Sequence, residues 1–407
     1  MGRTIWFAPS ILLGCPQHNA NVPPGGIVYT CIFSQDFVII NSTKIARHLA
    51  DQRSIVYSDQ PQSPLYKLFG IDHMTFLLRY CDEWRVQRKL LHPSLKPEVI
   101  DQYQELYTRN TSQLLQNLHQ SPSKFREHLH LYGGSISLEM VYGRRIKGKN
   151  NPIISLATGL GDILSKETTP EKSSLLMAFP FLQYLPSWFP GFGLKHHAKA
   201  SRKLVHTLSD VLYCMAKQQM ESGTLPQCLV YDFLTNNGNV EEKSAKDAAS
   251  GIYLESTATV LEILIMAMIL FPDVQENTHE ELDTMLGKGV VPTFTDRERL
   301  PYLQAVIYKL MRWHTIFPSG VPHMTSMSDI YEGYYIPKGC IVIFNIWVCP
   351  GRYFAENVLW AAIGMMLSSF TFKRAKDVNG NYIDIEPRFE HGQSSHPLSF
   401  ECVIIRR

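Results

Sequence analysis

The chain has 407 residues, 45% of them hydrophobic and 19% charged, with a formal net charge of +2. Such a chain can bury a large core, and its charge gives no sign of a nucleic-acid stripe or an acidic tail. The eight cysteines (15, 31, 81, 214, 228, 340, 349 and 402) are scattered without a CxxC pair, so they read as reduced thiols and not as a disulfide framework or zinc site.

Residues 1–25 form a segment without a clear anchor. The run 5–14 is apolar but lacks the charged start of a signal sequence, and Val22-Pro23-Pro24-Gly25-Gly26 reads as a turn or hinge. From residue 26 to 407 no Gly/Ser linker or internal repeat divides the chain, which predicts a single domain. No stretch reaches the ~20 apolar residues that span a bilayer. The longest apolar runs, 263–271 and 358–367, read as core helices. Asn41-Ser42-Thr43 and Asn110-Thr111-Ser112 match the glycosylation pattern but carry little weight without a secretory signal.

Two β-rich runs, 27–33 and 37–40, are separated by Ser34-Gln35-Asp36 and predict a hairpin. The pattern then turns helical. Apolar residues recur at three and four positions, as in Leu204, Leu208, Leu212 and Met215. The predicted helices are 43–52, 83–91, 97–120, 123–142, 152–166, 198–222, 229–235, 245–271, 273–286 and 300–313. Short strands follow at 330–336 and 341–346, then a turn at Cys349 and a helix over 358–367. The tail, 370–407, alternates and breaks like small antiparallel strands, with Asn379-Gly380 as a hairpin turn. The chain is thus mainly α with a minor antiparallel β portion. The segment from Phe179 to Pro190 holds three spaced prolines and five aromatics. It reads either as a packed loop or as a loop that touches a membrane or admits substrate.

Four local patterns carry candidate chemistry. Trp84 and Arg88 lie four apart, so on a helix an indole N–H and a guanidinium share one face, which suits a carboxylate. His323 stands near the start of a strand that follows the 300–313 helix and is either structural or a second donor to such a group. Glu255, Ser256 and Thr257 interrupt an apolar helix with an acid and two hydroxyls. Mid-helix hydroxyls can open a turn into a water site suited to proton delivery, or they lie on a solvated face. In Val348-Cys349-Pro350-Gly351-Arg352, Pro350 suits a first helical turn, Gly351 leaves room for a flat group, and the helix dipole favours the thiolate. Metal ligation and an ordinary buried cysteine are both open for Cys349 on this stretch alone.

Taken together, Trp84-x-x-x-Arg88, the 252–259 helix, the 300–313 helix, Tyr334–Gly339 and Cys349–Asn357 appear in an order that resembles the cytochrome P-450 family of haem-thiolate monooxygenases, closest to its fungal microsomal kind. The resemblance covers roughly residues 26–407. It implies a P-450-like fold, incomplete here, around haem b (iron protoporphyrin IX). Cys349 would be the axial thiolate metal ligand; Trp84, Arg88 and His323 would partner the propionates. Glu255, Ser256 and Thr257 would relay protons, and the Phe179 to Pro190 loop would be a membrane-facing entrance. The implied reaction inserts one oxygen atom from O2 into an apolar small molecule, with electrons from an NADPH-dependent reductase. The implied location is the endoplasmic reticulum membrane surface, with the cytoplasm as the alternative for a chain without a spanning segment. No nucleic-acid partner is expected.

Four departures fall on functional elements. Asn345-Ile346-Trp347 runs directly into Val348-Cys349, so several dozen residues that normally shield the sulfur are missing, which would leave the thiolate exposed and oxidisable. The family's Glu-x-x-Arg pair is Lys309-Leu310-Met311-Arg312, whose like charges repel, at a cost of about 3–5 kcal/mol if buried. The small-residue step before Glu255 is absent; losing three residues turns the upstream helix by ~300°, about 60° out of phase. The N-terminal anchor and its proline hinge are missing or replaced by residues 1–25. Two alternatives therefore stand beside the monooxygenase: a catalytically inactive, haem-poor remnant of the fold, and a haem-thiolate enzyme that uses peroxide or rearranges an oxygenated lipid.

Overall fold

A computed structural model of the chain describes residues 26–407, apart from 147, 149–150, 186–192, 237–240, 253–255, 318–319, 345–351 and 391–393. The described residues are mainly helical. The first elements are the hairpin β1 (Ile27–Ile32) and β2 (Gln35–Ile40), then short helices α1 (Thr43–Arg47), α2 (Ser54–Tyr57) and α3 (Pro64–Phe69). Next come α4 (Asp82–Ser94), α5 (Pro97–Ile100), α6 (Gln104–Gln120), α7 (Phe125–Tyr142), α8 (Pro152–Glu167), α9 (Pro170–Ala178) and the long α10 (Leu194–Glu221). They are followed by α11 (Leu229–Asn236), α12 (Glu242–Ser250), α13 (Ser256–Leu270), α14 (Pro272–Leu286) and α15 (Pro301–Trp313). Strands β3 (His323–Met324), β4 (Asp329–Tyr331), β5 (Tyr334–Ile336) and β6 (Ile341–Phe344) precede α16 (Arg352–Ser369), β7 (Phe370–Arg374) and β8 (Cys402–Arg406).

Helix ends follow local chemistry. Ser63, Asn151 and Thr169 each cap a helix whose first residue is proline, accepting backbone N–H groups of Leu65, Ile153 and Lys172. The start of α15 is capped from outside: the Glu281 carboxylate of α14 accepts Tyr302 N–H at 2.7 Å and Leu303 N–H at 2.9 Å. Gly143, at φ +64°, closes α7 in the left-handed conformation that glycine adopts without strain.

α13 is apolar all round, with Leu261, Leu264, Ile265 and Met266 fully buried, as expected for a helix surrounded by others. It packs on α7, α15 and α16, and α16 packs in turn on α6. The strand portion is small. One sheet has the order β1-β2-β6-β3; β2 and β6 run parallel and the other pairs antiparallel. β4–β5 and β7–β8 are separate antiparallel ribbons.

The structure departs from the expected boundaries where helices break. The 245–271 helix is divided into α12 and α13, with residues 251–255 between them. The 97–120 helix is interrupted by a tighter turn over Asp101–Tyr103. The first hairpin turns at Phe33 and Ser34, both at positive φ, one residue earlier than Ser34-Gln35-Asp36 predicts. The Asn379-Gly380 turn forms as predicted: Gly380 has φ +85° and its N–H donates to the Asp377 carbonyl.

Candidate active site

On α4, Trp84 and Arg88 share a face as their spacing requires. The Arg88 guanidinium carbon lies 5.7 Å from the Trp84 ring centroid, and Trp84 packs on Tyr80 at 5.1 Å. The other face of α4 is fixed in the core: Gln87 is fully buried, accepts from the Thr75 hydroxyl at 2.6 Å and donates to the His73 carbonyl at 3.2 Å. Arg88 has no carboxylate partner among the described residues, although it is half-buried. A guanidinium in that position can donate to an anion such as a carboxylate.

His323 opens β3, opposite Val342 of β6, with its ring edge-on to Phe344 at 5.5 Å. Its Nδ1 is buried and has no hydrogen-bond partner among the described residues. Burial lowers its pKa below the ordinary histidine range, and a hydrogen bond to the Tyr57 backbone opposes that effect. A buried ring nitrogen without a partner costs free energy unless another group meets it.

Asp59 fastens these two groups into one region. Its carbonyl accepts the Met324 N–H at 2.7 Å. Its carboxylate accepts the Tyr80 N–H at 2.9 Å, one residue before the N-cap of α4, and the Gln60 N–H at 3.0 Å. Arg79 lies 3.5 Å from the same carboxylate. The strand carrying His323 and the helix carrying Trp84 and Arg88 are therefore held through one buried residue, the strand by its carbonyl and the helix by its side chain.

Ser256 and Thr257 form the first turn of α13. Thr257 faces Gly133 of α7, where a Cβ would stand 3.7 Å from the Thr257 Cβ. Neither hydroxyl hydrogen-bonds to Trp84, Arg88 or His323. Glu255 and Cys349 lie outside the described residues. Cys340, the nearest other cysteine in sequence, is fully buried, and burial pushes its thiol up to about 12, so it stays protonated. Lys309 and Arg312 are both exposed, so the cost foreseen for a buried like-charge pair does not arise.

The sequence profile of cytochrome P450 matches residues 17–348. This chain belongs to the cytochrome P450 family. It is 30% identical to a cytochrome P450 monooxygenase of Armillaria gallica, over 92% of this chain and 83% of that protein. Cytochrome P450 monooxygenase 226 of Postia placenta is 32% identical, over 93% and 81%. A cytochrome P450 monooxygenase of Aspergillus oryzae is 29% identical, over 93% and 82%. The Armillaria alignment runs over 424 positions but takes in only 92% of 407 residues, so roughly fifty of its positions stand opposite gaps in this chain.

Membership of the P450 family implies a haem-thiolate cofactor, O2, a substrate and an electron-supplying partner. The residues present fit the acidic edge of a haem, because Arg88 has no carboxylate and His323 Nδ1 has no partner. Sequence spacing predicted Trp84 with Arg88. Asp59 was missed, since nothing near residue 59 signals contacts with residues 80 and 324.

Proposed function

We propose that this P450 is a haem-dependent monooxygenase that inserts one oxygen atom from O2 into an apolar small molecule, with electrons from an NADPH-dependent reductase. The observation that carries the reading is the pair of unpartnered polar groups, the Arg88 guanidinium without a carboxylate and His323 Nδ1 without a hydrogen bond among the described residues, gathered by Asp59. Trp84, Arg88 and His323 would hold the propionates, and Cys349 would be the axial ligand. Thiolate-held haem supplies the electron density that favours O–O cleavage.

The rest is done by the chain itself. Glu255, outside the described residues, would supply protons, and Ser256 and Thr257 stand in the first turn of α13. Ser256 and Thr257 would hold the proton that Glu255 passes on, at their Oγ atoms. Attachment to the endoplasmic reticulum surface would use the aromatics around Pro180–Tyr184: Phe181 and Tyr184 are 62% and 77% exposed. Phe33 of the first hairpin packs edge-on to Phe179 beside them. A groove of about 690 Å³ next to Tyr184 is lined by Lys195, Lys199, Arg202 and Lys203, which suits anionic headgroups. Among the described residues no single helix is long and apolar enough to cross a membrane; α13 and α14 pass that test only together, bent by 103°.

The deciding experiment is the absorption spectrum of reduced, CO-treated protein. The expected result is a thiolate-type band that Cys349→Ala abolishes and Cys340→Ala leaves intact. Equal loss in both variants overturns the ligand assignment. A second reading, a haem-poor P450 remnant without catalysis, is favoured by Lys309, a cation where the family's Glu-x-x-Arg pair has its acid. Holo protein formed on expression with a haem precursor would end it.

A further inference from the structure

Between α14 and α15, one short stretch reaches three helices at once. Phe294–Arg299 forms a tight 3-10 turn whose start is fixed by a reciprocal cap: the Asp296 carboxylate accepts the Thr293 N–H at 3.0 Å and the Thr293 hydroxyl at 2.7 Å. Its end is fixed by Arg299, which donates to the Met285 carbonyl of α14 at 2.7 Å. From this turn the half-buried Arg297 spreads its guanidinium over α15 and α16. Nε donates to Gln304 Oε1 at 2.9 Å and Nη1 to Asn357 Oδ1 at 2.8 Å, while Nη2 lies 3.8 Å from Glu356 Oε2. Asn357 is 6% exposed, and its Nδ2 donates onward to Asp101, between α5 and α6, at 3.0 Å.

We propose that Arg297 is a positioning residue for the cysteine-bearing end of α16, holding its first turns at one tilt and register so that Cys349 is presented to the haem. The inference rests on the assignment of Cys349 as axial ligand. Cys349 stands three positions before Arg352, where α16 begins, and Glu356 and Asn357 stand four and five positions after it. A hold on these two residues therefore acts within about 8 Å of the helix start, at ~1.5 Å of rise per residue. A ligand on the turn ahead of a helix inherits the orientation of that helix, and groups that orient a ligand govern how well it binds its metal. Lys309 and Arg312 give no such support. Both are exposed, and neither is hydrogen-bonded or ion-paired to α16 among the described residues.

The bonds select one arrangement. Asn357 uses its amide at both ends, accepting from Arg297 and donating to Asp101, so turning the amide over would set donor against donor on one side and acceptor against acceptor on the other. Gln304 Nε2 is buried without a partner among the described residues, so the bond from Arg297 is what orients that side chain on α15. Removing Arg297 leaves the Asn357 oxygen buried and unpaired, which costs free energy. Aromatic packing joins the same elements: Phe294 lies on Trp360 at 5.2 Å, and Phe354 on Tyr107 of α6 at 5.8 Å. Ring contacts resist separation but accept a range of geometries, whereas a guanidinium held in fixed hydrogen-bond directions specifies one register.

The test uses the full chain and two readouts: amide hydrogen exchange of a peptide covering 352–359, referenced to α13, and the ratio of thiolate-type to other bands in the spectrum of the haem-loaded, reduced, CO-treated protein. Arg297→Ala is expected to lose about tenfold protection at 352–359 while α13 keeps its own. The band ratio per haem bound is expected to fall about tenfold. Asn357→Leu, which removes the acceptor of Arg297, should act in the same direction on both readouts. Arg297→Lys keeps the charge but not the planar fork and should recover only part of each. Glu298→Ala, exposed on the same turn, should change neither. A merely structural role would lower the amount of haem bound and leave the ratio unmoved. Unchanged exchange in Arg297→Ala, an unchanged ratio beside faster exchange, or full recovery by Arg297→Lys would each overturn the proposal. Wild-type protein without a thiolate-type band would overturn the ligand assignment itself and the positioning role with it, an outcome distinct from a normal wild-type band that is insensitive to Arg297. If Arg297→Ala does not fold, Asn357→Leu and Arg297→Lys decide by the same two readouts.

Discussion

The Asp59 carboxylate accepts the backbone N–H of Tyr80 at 2.9 Å while its carbonyl accepts the Met324 N–H at 2.7 Å, so this one residue joins β3 to the start of α4. Asp59 is 7% exposed, and its side chain also receives the Gln60 N–H. Asp59→Ala strands two backbone donors near the core, at about 1–3 kcal/mol for each group left unpaired. The expected loss in urea denaturation is about 2–4 kcal/mol. Asp59→Asn keeps an acceptor oxygen and gives up the ion pair with the exposed Arg79, so it should cost less than about 1 kcal/mol. Equal losses in the two variants would mean that charge, and not backbone acceptance, is what the site uses.

Arg88 offers a direct reading of the haem assignment. Arg88→Ala should weaken haem binding about tenfold in a titration, a change of about 1.4 kcal/mol. Lys89→Ala, one residue along on an exposed part of α4, should leave it unaltered. Matched losses would show a general charge effect; no loss at Arg88 would remove it from the propionate set.

How much of this was legible in the sequence depends on the distance over which each contact acts. Trp84 with Arg88, the proline-led helix starts and the Asn379-Gly380 turn are local, and their spacing decides them. Asp59 with Met324, and Arg297 with Asn357, join residues far apart in the chain, and no periodicity reports such pairs. The break between α12 and α13 lies between these cases. Apolar periodicity runs on through 245–271 and predicts one helix there, whereas the structure has two, α12 and α13. Glu262 left a trace too, as an acid inside an otherwise apolar helix, although its partners on α7 could not be read from it.

Acid stability follows from buried histidines. His279 and His314 are both pushed down to about 4, mainly by burial, and His323 and His396 are lowered as well. In the unfolded chain each returns to the ordinary value near 6.5, so below that pH the unfolded state binds more protons than the folded one. These groups therefore leave stability level above about pH 6.5 and lower it progressively down to about pH 4. Thermal melting across that range should show the decline, and His279→Gln should reduce its slope. A melting temperature that is flat over the window would contradict the neutral, buried state of these rings.

Glu262 is 3% exposed at the middle of α13 and meets Arg126 at 3.1 Å and His130 at 3.4 Å. The pair is more sensitive to losing one member than to losing both. Glu262→Ala leaves a cationic Arg126 facing an apolar helix and should cost about 3–5 kcal/mol. Arg126 also donates to the Leu398 carbonyl at 2.8 Å, so the loss should reach the tail beyond β8's neighbour strand and raise exchange there. Replacing both residues, Glu262→Met with Arg126→Met, removes the two charges together and should restore most of the stability, because well-packed apolar groups often replace a buried ion pair at little cost. Urea denaturation of the single and double variants measures the coupling. Additive losses would mean that Glu262 and Arg126 stabilise the fold independently, and that the contact between α7 and α13 is one of packing and not of charge.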